Sequence, residues 1–151
     1  MKIKSLNQLF SVSKKIANNL SHSDFIFLYG EIGSGKTTFT RNLINYLQEK
    51  ENVKKTEVLS PTFNLLYEYY FKNYKIMHYD LYRLKETKEI EQLGILFESS
   101  KCIKIVEWPE LISKMIDDKI ELHFFHTQNE NERELRYKCF GRWKKFKLDE
   151  I

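Results

Sequence analysis

FIFLYGEIGSGKTTFTRNL (residues 25–43) joins a continuous apolar run to a loop that holds three of the chain's five glycines. So short an uninterrupted apolar run, ended by glycine, is the pattern of a parallel strand buried on both faces. Beyond the loop, Phe39, Leu43, Ile44 and Leu47 recur at helical spacing, which predicts a crossover helix over Lys36–Glu49. Between strand and helix, Gly30 to Thr37 satisfies G-x-x-x-x-G-K-[ST], in the context that this phosphate-binding pattern requires. Its glycines permit positive φ and a close backbone approach. The amide N–H groups of Gly33, Ser34, Gly35, Lys36, Thr37 and Thr38 then converge on phosphate oxygens at the helix N-terminus. Lys36 is placed to reach the β- and γ-phosphates, and the Thr37 hydroxyl to ligate Mg²⁺. The unit predicts an α/β protein that binds a nucleoside triphosphate, but the loop alone fixes neither the nucleotide nor the reaction.

Before this unit, Leu6, Leu9, Phe10, Ser13, Ile16, Ala17 and Leu20 recur at spacings of three and four, predicting a helix over residues 5–20 with Ser5 as N-cap. After it, FNLLYEYYF (63–71) and YKIMHYD (74–80) are rich in β-formers and flank Lys72-Asn73, which reads as an antiparallel hairpin. A helix is expected around Lys85–Leu93, ended by Gly94. CIKIVEW (102–108) reads as another buried strand stopped by Pro109, PELISKMI (109–116) as a short helix, and IELHFFHTQ with ELRYKCF as a final hairpin across NENER (129–133).

The 151 residues contain no repeat or composition break and are read as a single domain, 1–151, with a core of ordinary size. Cys102 and Cys139 are far apart and lack C-x-x-C spacing, which suggests neither a zinc site nor a disulfide framework. There is no signal-like apolar segment at the start, and no apolar run approaches the ~20 residues of a membrane span, so a soluble cytoplasmic protein is expected. Net charge is +4, too mild by itself to indicate nucleic acid. RYKCFGRWKKFK (136–147) nevertheless carries six basic side chains interleaved with four aromatics. That pattern suits an edge strand with one buried and one lysine-rich face, an RNA contact, or a protein partner.

Triphosphate hydrolysis needs acids near the magnesium and a group to orient water, at the C-terminal ends of neighbouring strands. Asp80 closes YKIMHYD and Glu107 closes CIKIVEW, and each lies level with the loop if its strand neighbours the first. Ser60-Pro61-Thr62-Phe63 is a hydroxyl-rich turn before the hairpin, either a simple turn or a switch whose Thr62 meets the γ-phosphate or its magnesium. His78 shares a strand face with Asp80, which allows an imidazole beside the carboxylate, although a structural histidine fits as well. Arg83 is a candidate for phosphate binding or for pairing with a nearby acid. N-K-x-D and D-x-x-G motifs are absent, which argues against a GTPase, and no arginine-rich lid segment of a small-molecule kinase is seen.

Taken together, GEIGSGKTT (30–38), SPTF (60–63), HYDLYRL (78–84), EIEQLGI (89–95) and VEWPE (106–110) resemble, in order and spacing, the TsaE (formerly YjeE) family of bacterial tRNA threonylcarbamoyladenosine biosynthesis ATPases. The resemblance runs from residue 5 to about residue 140. It implies a P-loop NTPase-like three-layer fold with a mixed, largely parallel central sheet and an antiparallel hairpin. It also implies ATP and Mg²⁺ as cofactors, slow intrinsic hydrolysis, and action with TsaD and TsaB, which install threonylcarbamoyl beside the anticodon of ANN-decoding tRNAs. Carried onto this sequence, Lys36 and the loop amides hold the triphosphate, Thr37 and Glu107 bind Mg²⁺, Asp80 positions the attacking water, and Thr62 and Trp108 are switch and pocket positions. Where the family often has threonine near the adenine this chain has Leu9, and where its last hairpin turn commonly has Gly-Arg this chain has Glu132-Arg133. A small-molecule kinase and a nucleotide-gated RNA- or protein-binding module are the rival readings.

Overall fold

The computed structural model describes residues 1–97 and 101–148. In chain order its elements are β1 (Lys2–Ile3), α1 (Leu6–Ala17), β2 (Phe25–Tyr29), α2 (Lys36–Lys50), β3 (Leu66–Tyr70), β4 (Lys75–Asp80), α3 (Thr87–Gln92), β5 (Cys102–Glu107), β6 (Lys119–His126) and β7 (Arg133–Phe140). Short 3-10 turns follow β5 and β7, at Pro109–Leu111 and Gly141–Lys145. The strands form one mixed sheet in the order β1-β7-β6-β2-β5-β4-β3. Its middle is parallel: β2 lies between β5 and β6, and β4 joins the far side of β5. Antiparallel β3 and β7 flank that middle as the outer strands of two hairpins, and β1 adds to β7.

Alternation within β2 divides the core. Ile26 and Leu28 point to one face, where Val12 and Ile16 of α1 and Phe39, Leu43 and Ile44 of α2 pack on them. Phe27 points to the other, among Tyr79, Leu81, Ile90, Ile95, Val106 and Ile112. Each such side chain contributes about 1.5–3 kcal/mol when fully buried, which is why the apolar runs of β2 and β5 take the centre of the sheet. Two buried lysines tie connections to the second face. Lys104 Nζ on β5 donates to the carbonyls of Ile95 and Phe97, both at 2.7 Å, and Lys119 Nζ on β6 donates to those of Ser113 and Ile116.

The first helix, the crossover unit, both hairpins and the Gly94 stop stand where the sequence predicts them, with Ser5 Oγ accepting from the Gln8 amide at 3.2 Å. Three expectations change. Residues 109–116 make one 3-10 turn and further i→i+3 turns, because Lys119 takes the carbonyls of Ser113 and Ile116 that a continuing helix would use. The strand expected from Phe63 begins only at Leu66, after a turn in which Leu65 adopts φ +66° and its amide bonds to the Pro61 carbonyl. Strand β1 goes unpredicted, since two residues carry no periodicity.

In the basic aromatic segment Trp143, and just after it Leu148, are buried in the α1/α2 core, while Lys144, Lys145 and Lys147 are exposed. Arg142 clasps Asp24, just before β2, through both carboxylate oxygens, and its amide donates to Asp118 Oδ1 at 2.7 Å. The aromatic half of this pattern is therefore packing, and residues 149–151 of the extension lie outside the described residues. Among the described residues, no helix is long and apolar enough to cross a membrane.

Candidate functional site

The site is built where the parallel strands end. The chain leaves β2 at Tyr29 and turns through Gly30 (φ +145°), where an added Cβ would lie 2.6 Å from Ser34 Oγ and 2.7 Å from the Phe124 carbonyl oxygen. Gly35 caps α2 in the left-handed region and offers no side chain to the first turn, so the orphan amides there are left for a ligand. Within the same loop, the Ser34 hydroxyl is buried and has no protein partner. The Ser34 amide donates to the Glu31 carbonyl at 3.1 Å, and the uncapped first-turn amides with an orphaned hydroxyl beside them fit a phosphate anion.

Lys36 opens α2 but is mostly buried. Its Nζ donates back to the carbonyls of Gly30 and Glu31 and lies 4.6 Å from the centre of the Trp108 ring. Burial lowers its pKa, while the carboxylates of Glu107 and Asp80 pull the other way. Trp108 reaches this position because it takes a left-handed conformation (φ 56°, ψ 56°) between β5 and Pro109, and Tyr82 packs on its outer side at 4.7 Å between ring centres.

Register delivers the acids. Glu107 on β5 is level with Leu28 on β2, and Asp80 on β4 is level with Glu107. Of the two strands that carry these acids, β5 neighbours β2 directly and β4 lies beyond it, so Asp80 reaches the site one strand further out. Each carboxylate meets a threonine hydroxyl: Thr37 Oγ1, in the first turn of α2, donates to Glu107 Oε1 at 3.1 Å, and Thr62 Oγ1, in the turn before β3, donates to Asp80 Oδ2 at 3.0 Å. The second oxygen of Asp80 accepts from the Tyr82 amide at 2.9 Å. His78 does share the face of Asp80, yet its Nε2 lies 3.6 Å from Glu107 Oε2. Among the described residues Arg83 pairs with neither phosphate-side group nor acid; it donates to the carbonyls of Thr62 (3.0 Å) and Phe63 (2.5 Å) and so holds the turn that presents Thr62.

Lys36, Thr37, Thr62, Asp80, Glu107 and Trp108 thus line one cleft of about 340 Å³. A second, of about 360 Å³, shares Gly33, Gly35 and Thr38 with it and is walled by Leu9 of α1, Phe124 of β6 and Arg133 of β7. Two clefts joined across one glycine loop suit a ligand with a polyphosphate at one end and an apolar ring at the other. Phe124 is not foreseeable from sequence, because its strand is some 90 positions from the loop it backs and no motif marks it. A further cavity, about 490 Å³ against β3 and residues 53–59, contains none of these residues. The Thr37 hydroxyl and the Glu107 carboxylate are hard oxygen donors side by side, as Mg²⁺ requires when phosphate and water complete its shell.

Residues 3–135 match the family described as threonylcarbamoyl adenosine biosynthesis protein TsaE. The chain is 39% identical over 105 residues to the tRNA threonylcarbamoyladenosine biosynthesis protein TsaE of Rickettsia conorii, a stretch that covers 70% of this chain and 58% of that one. Against the proteins of the same name from Rickettsia prowazekii and Aquifex aeolicus, identity is 38% over 129 residues (78% of this chain, 87% of that one) and 34% over 134 residues (89% and 91%). The crystal structure of Bacillus subtilis YdiB shares the fold, with a TM-score of 0.71 over 95% of this chain and 87% of that one, at 23% identity.

Proposed function

The chain belongs to the TsaE family, and from that premise we propose that it is the ATP-hydrolysing accessory subunit of the cytoplasmic complex that forms N6-threonylcarbamoyladenosine beside the anticodon of ANN-decoding tRNAs, acting with TsaD and TsaB. The observation that carries the hydrolytic part is the pair of threonine–carboxylate contacts, Thr37–Glu107 and Thr62–Asp80, at the mouth of one phosphate-binding loop.

In this reading the triphosphate lies along the loop amides of residues 33–38, and the adenine side enters the cleft between Leu9, Phe124 and Arg133. Lys36 exchanges the carbonyls of Gly30 and Glu31 for phosphate oxygens, an exchange favoured because a buried ammonium gains more from an anion than from neutral carbonyls. Thr37 and Glu107 would hold Mg²⁺, which when bound would supply positive charge against the negative charge that develops on the phosphate oxygens. Asp80 accepts a hydrogen bond from the attacking water and aims it at the γ-phosphorus, with Thr62 fixing the carboxylate. ATP and water give ADP and phosphate, and the group transfer to tRNA is left to TsaD.

Adding TsaD and TsaB should raise the rate of phosphate release from ATP. Lys36→Ala should weaken ATP binding about 100-fold or more, and Glu107→Ala should lower turnover far more than binding, because it removes a group that acts on charge formed in the transition state. Unchanged turnover in both variants with TsaD and TsaB present would overturn the assignment, and transfer of phosphate to a metabolite instead of water would favour a kinase.

A further inference from the structure

His78 on β4 is wholly buried, and among the described residues neither of its ring nitrogens has a hydrogen-bond partner. An imidazole with both nitrogens unsatisfied is costly in a packed interior, so its presence calls for a physical reason. The carboxylate it faces is Glu107: Nε2 lies 3.6 Å from Oε2, with side-chain exposures of 0% and 2%. At that separation the pair stands just outside hydrogen-bond distance. The opposite oxygen, Oε1, is the one that meets Thr37 Oγ1 at 3.1 Å. Asp80 lies two residues along the same strand face, where its oxygens accept from Thr62 and the Tyr82 amide, and among the described residues the carboxylate within 4 Å of the ring is that of Glu107.

We propose that His78 is a positioning residue for Glu107, donating from Nε2 to Oε2 so that Oε1 is held toward Thr37 and the cation. This rests on the reading of Thr37 and Glu107 as the protein's Mg²⁺ ligands. A carboxylate that binds metal through one oxygen keeps lone pairs on the other, and a donor there fixes its rotamer. Removal of such outer partners typically lowers metal affinity by about 10–100-fold. The geometry also explains why a polar ring occupies a position on β4 surrounded by apolar strand residues.

The test is a titration of a fluorescent ATP analogue, first in EDTA and then across a range of Mg²⁺, with melting curves to establish folding. His78→Leu removes both nitrogens, His78→Asn keeps an amide but withdraws it from Glu107, and His78→Gln puts an amide N–H where Nε2 stands. The Mg²⁺ concentration that gives half of the metal-dependent tightening should rise about tenfold or more in the Leu and Asn variants, with binding in EDTA within about twofold of the unsubstituted protein. His78→Gln should stay within about threefold of the unsubstituted protein, a rescue that a purely structural role does not produce. If the Leu variant does not fold, the Asn and Gln pair decides. Unsubstituted magnesium dependence in His78→Asn, or equal losses in Asn and Gln, overturns the positioning role. Failure of the unsubstituted protein to bind the analogue in either buffer overturns the phosphate-loop reading itself.

Discussion

Thr62 shows how a single hydroxyl ties two distant parts of the chain. It stands in the turn before β3 and donates to Asp80 at the end of β4, and its neighbour Ser60 lies 2.9 Å from it on the solvent side. Replacing it with valine keeps the shape and removes the donor, leaving one oxygen of a nearly buried carboxylate without its partner. If Asp80 orients the attacking water, Thr62→Val should reduce kcat for ATP about 10–100-fold while KM changes by less than about threefold, and Thr62→Ser should recover most of the rate. Steady-state phosphate release against ATP concentration separates these outcomes, and a change confined to KM would make Thr62 a ground-state contact instead. Individual site residues of this kind were visible in the sequence because each ends or begins a patterned run: Asp80 and Glu107 terminate apolar strands, and Lys36 and Thr37 follow the glycines. Their pairing was not visible, since the match of Asp80 with Glu107 depends on the register of two strands some 25 residues apart. The same reason hid the partner of His78. Two residues along a strand and a diagonal step across it are comparable distances, and the extra methylene of glutamate lets Glu107 approach a ring that the sequence places beside Asp80.

At the scale of elements, the strand, loop and helix of residues 25–50 were legible because their signals are local: a fully apolar run, glycines with positive φ, and a 3.6-residue period. The turn over residues 61–65 was legible only in part: Ser60-Pro61-Thr62-Phe63 marks a hydroxyl-rich turn before the hairpin, but not what holds it. It is shaped by a long-range contact, the guanidinium of Arg83 donating to the carbonyls of Thr62 and Phe63 and lying 5.6 Å from the centre of the Phe63 ring. Because Phe63 is 83% exposed, the turn has little apolar packing of its own, and Arg83 is the main side-chain clamp seen on it. Arg83→Ala should therefore free the turn without unfolding the sheet. Limited proteolysis at residues 61–65 should accelerate several-fold while the melting temperature falls by only a few degrees, a cost of about 1 kcal/mol for two charged hydrogen bonds in an exposed place. Turnover should drop with it, since Thr62 would no longer be held against Asp80. Unaltered cleavage would show that the turn is held by its own backbone bond from Leu65 to Pro61.

Across the whole molecule, the segment after β7 closes the fold back onto its beginning. Trp143 and Leu148 enter the core beneath α1 and α2, and Arg142 reaches Asp24 at the entry to β2, the strand that feeds the phosphate loop. The sequence alone leaves RYKCFGRWKKFK divided between packing and a charged surface, because interleaved aromatic and basic residues are what both uses require. The structure assigns the rings inward and the lysines outward, so the two halves of the pattern separate by experiment. Trp143→Ala should cost about 3–5 kcal/mol, as for other large buried aromatics, or about 6–20 °C in melting temperature for a chain of this size. Trp143→Phe should cost distinctly less. The indole Nε1 is buried without a hydrogen-bond partner, so its removal strands no acceptor and relieves an unsatisfied donor while most of the ring area stays in place. Neutralising Lys144, Lys145 and Lys147 together, all exposed, should leave the melting temperature within about 2 °C. A large loss of stability in the lysine variant, or none in Trp143→Ala, would reverse this division of the segment.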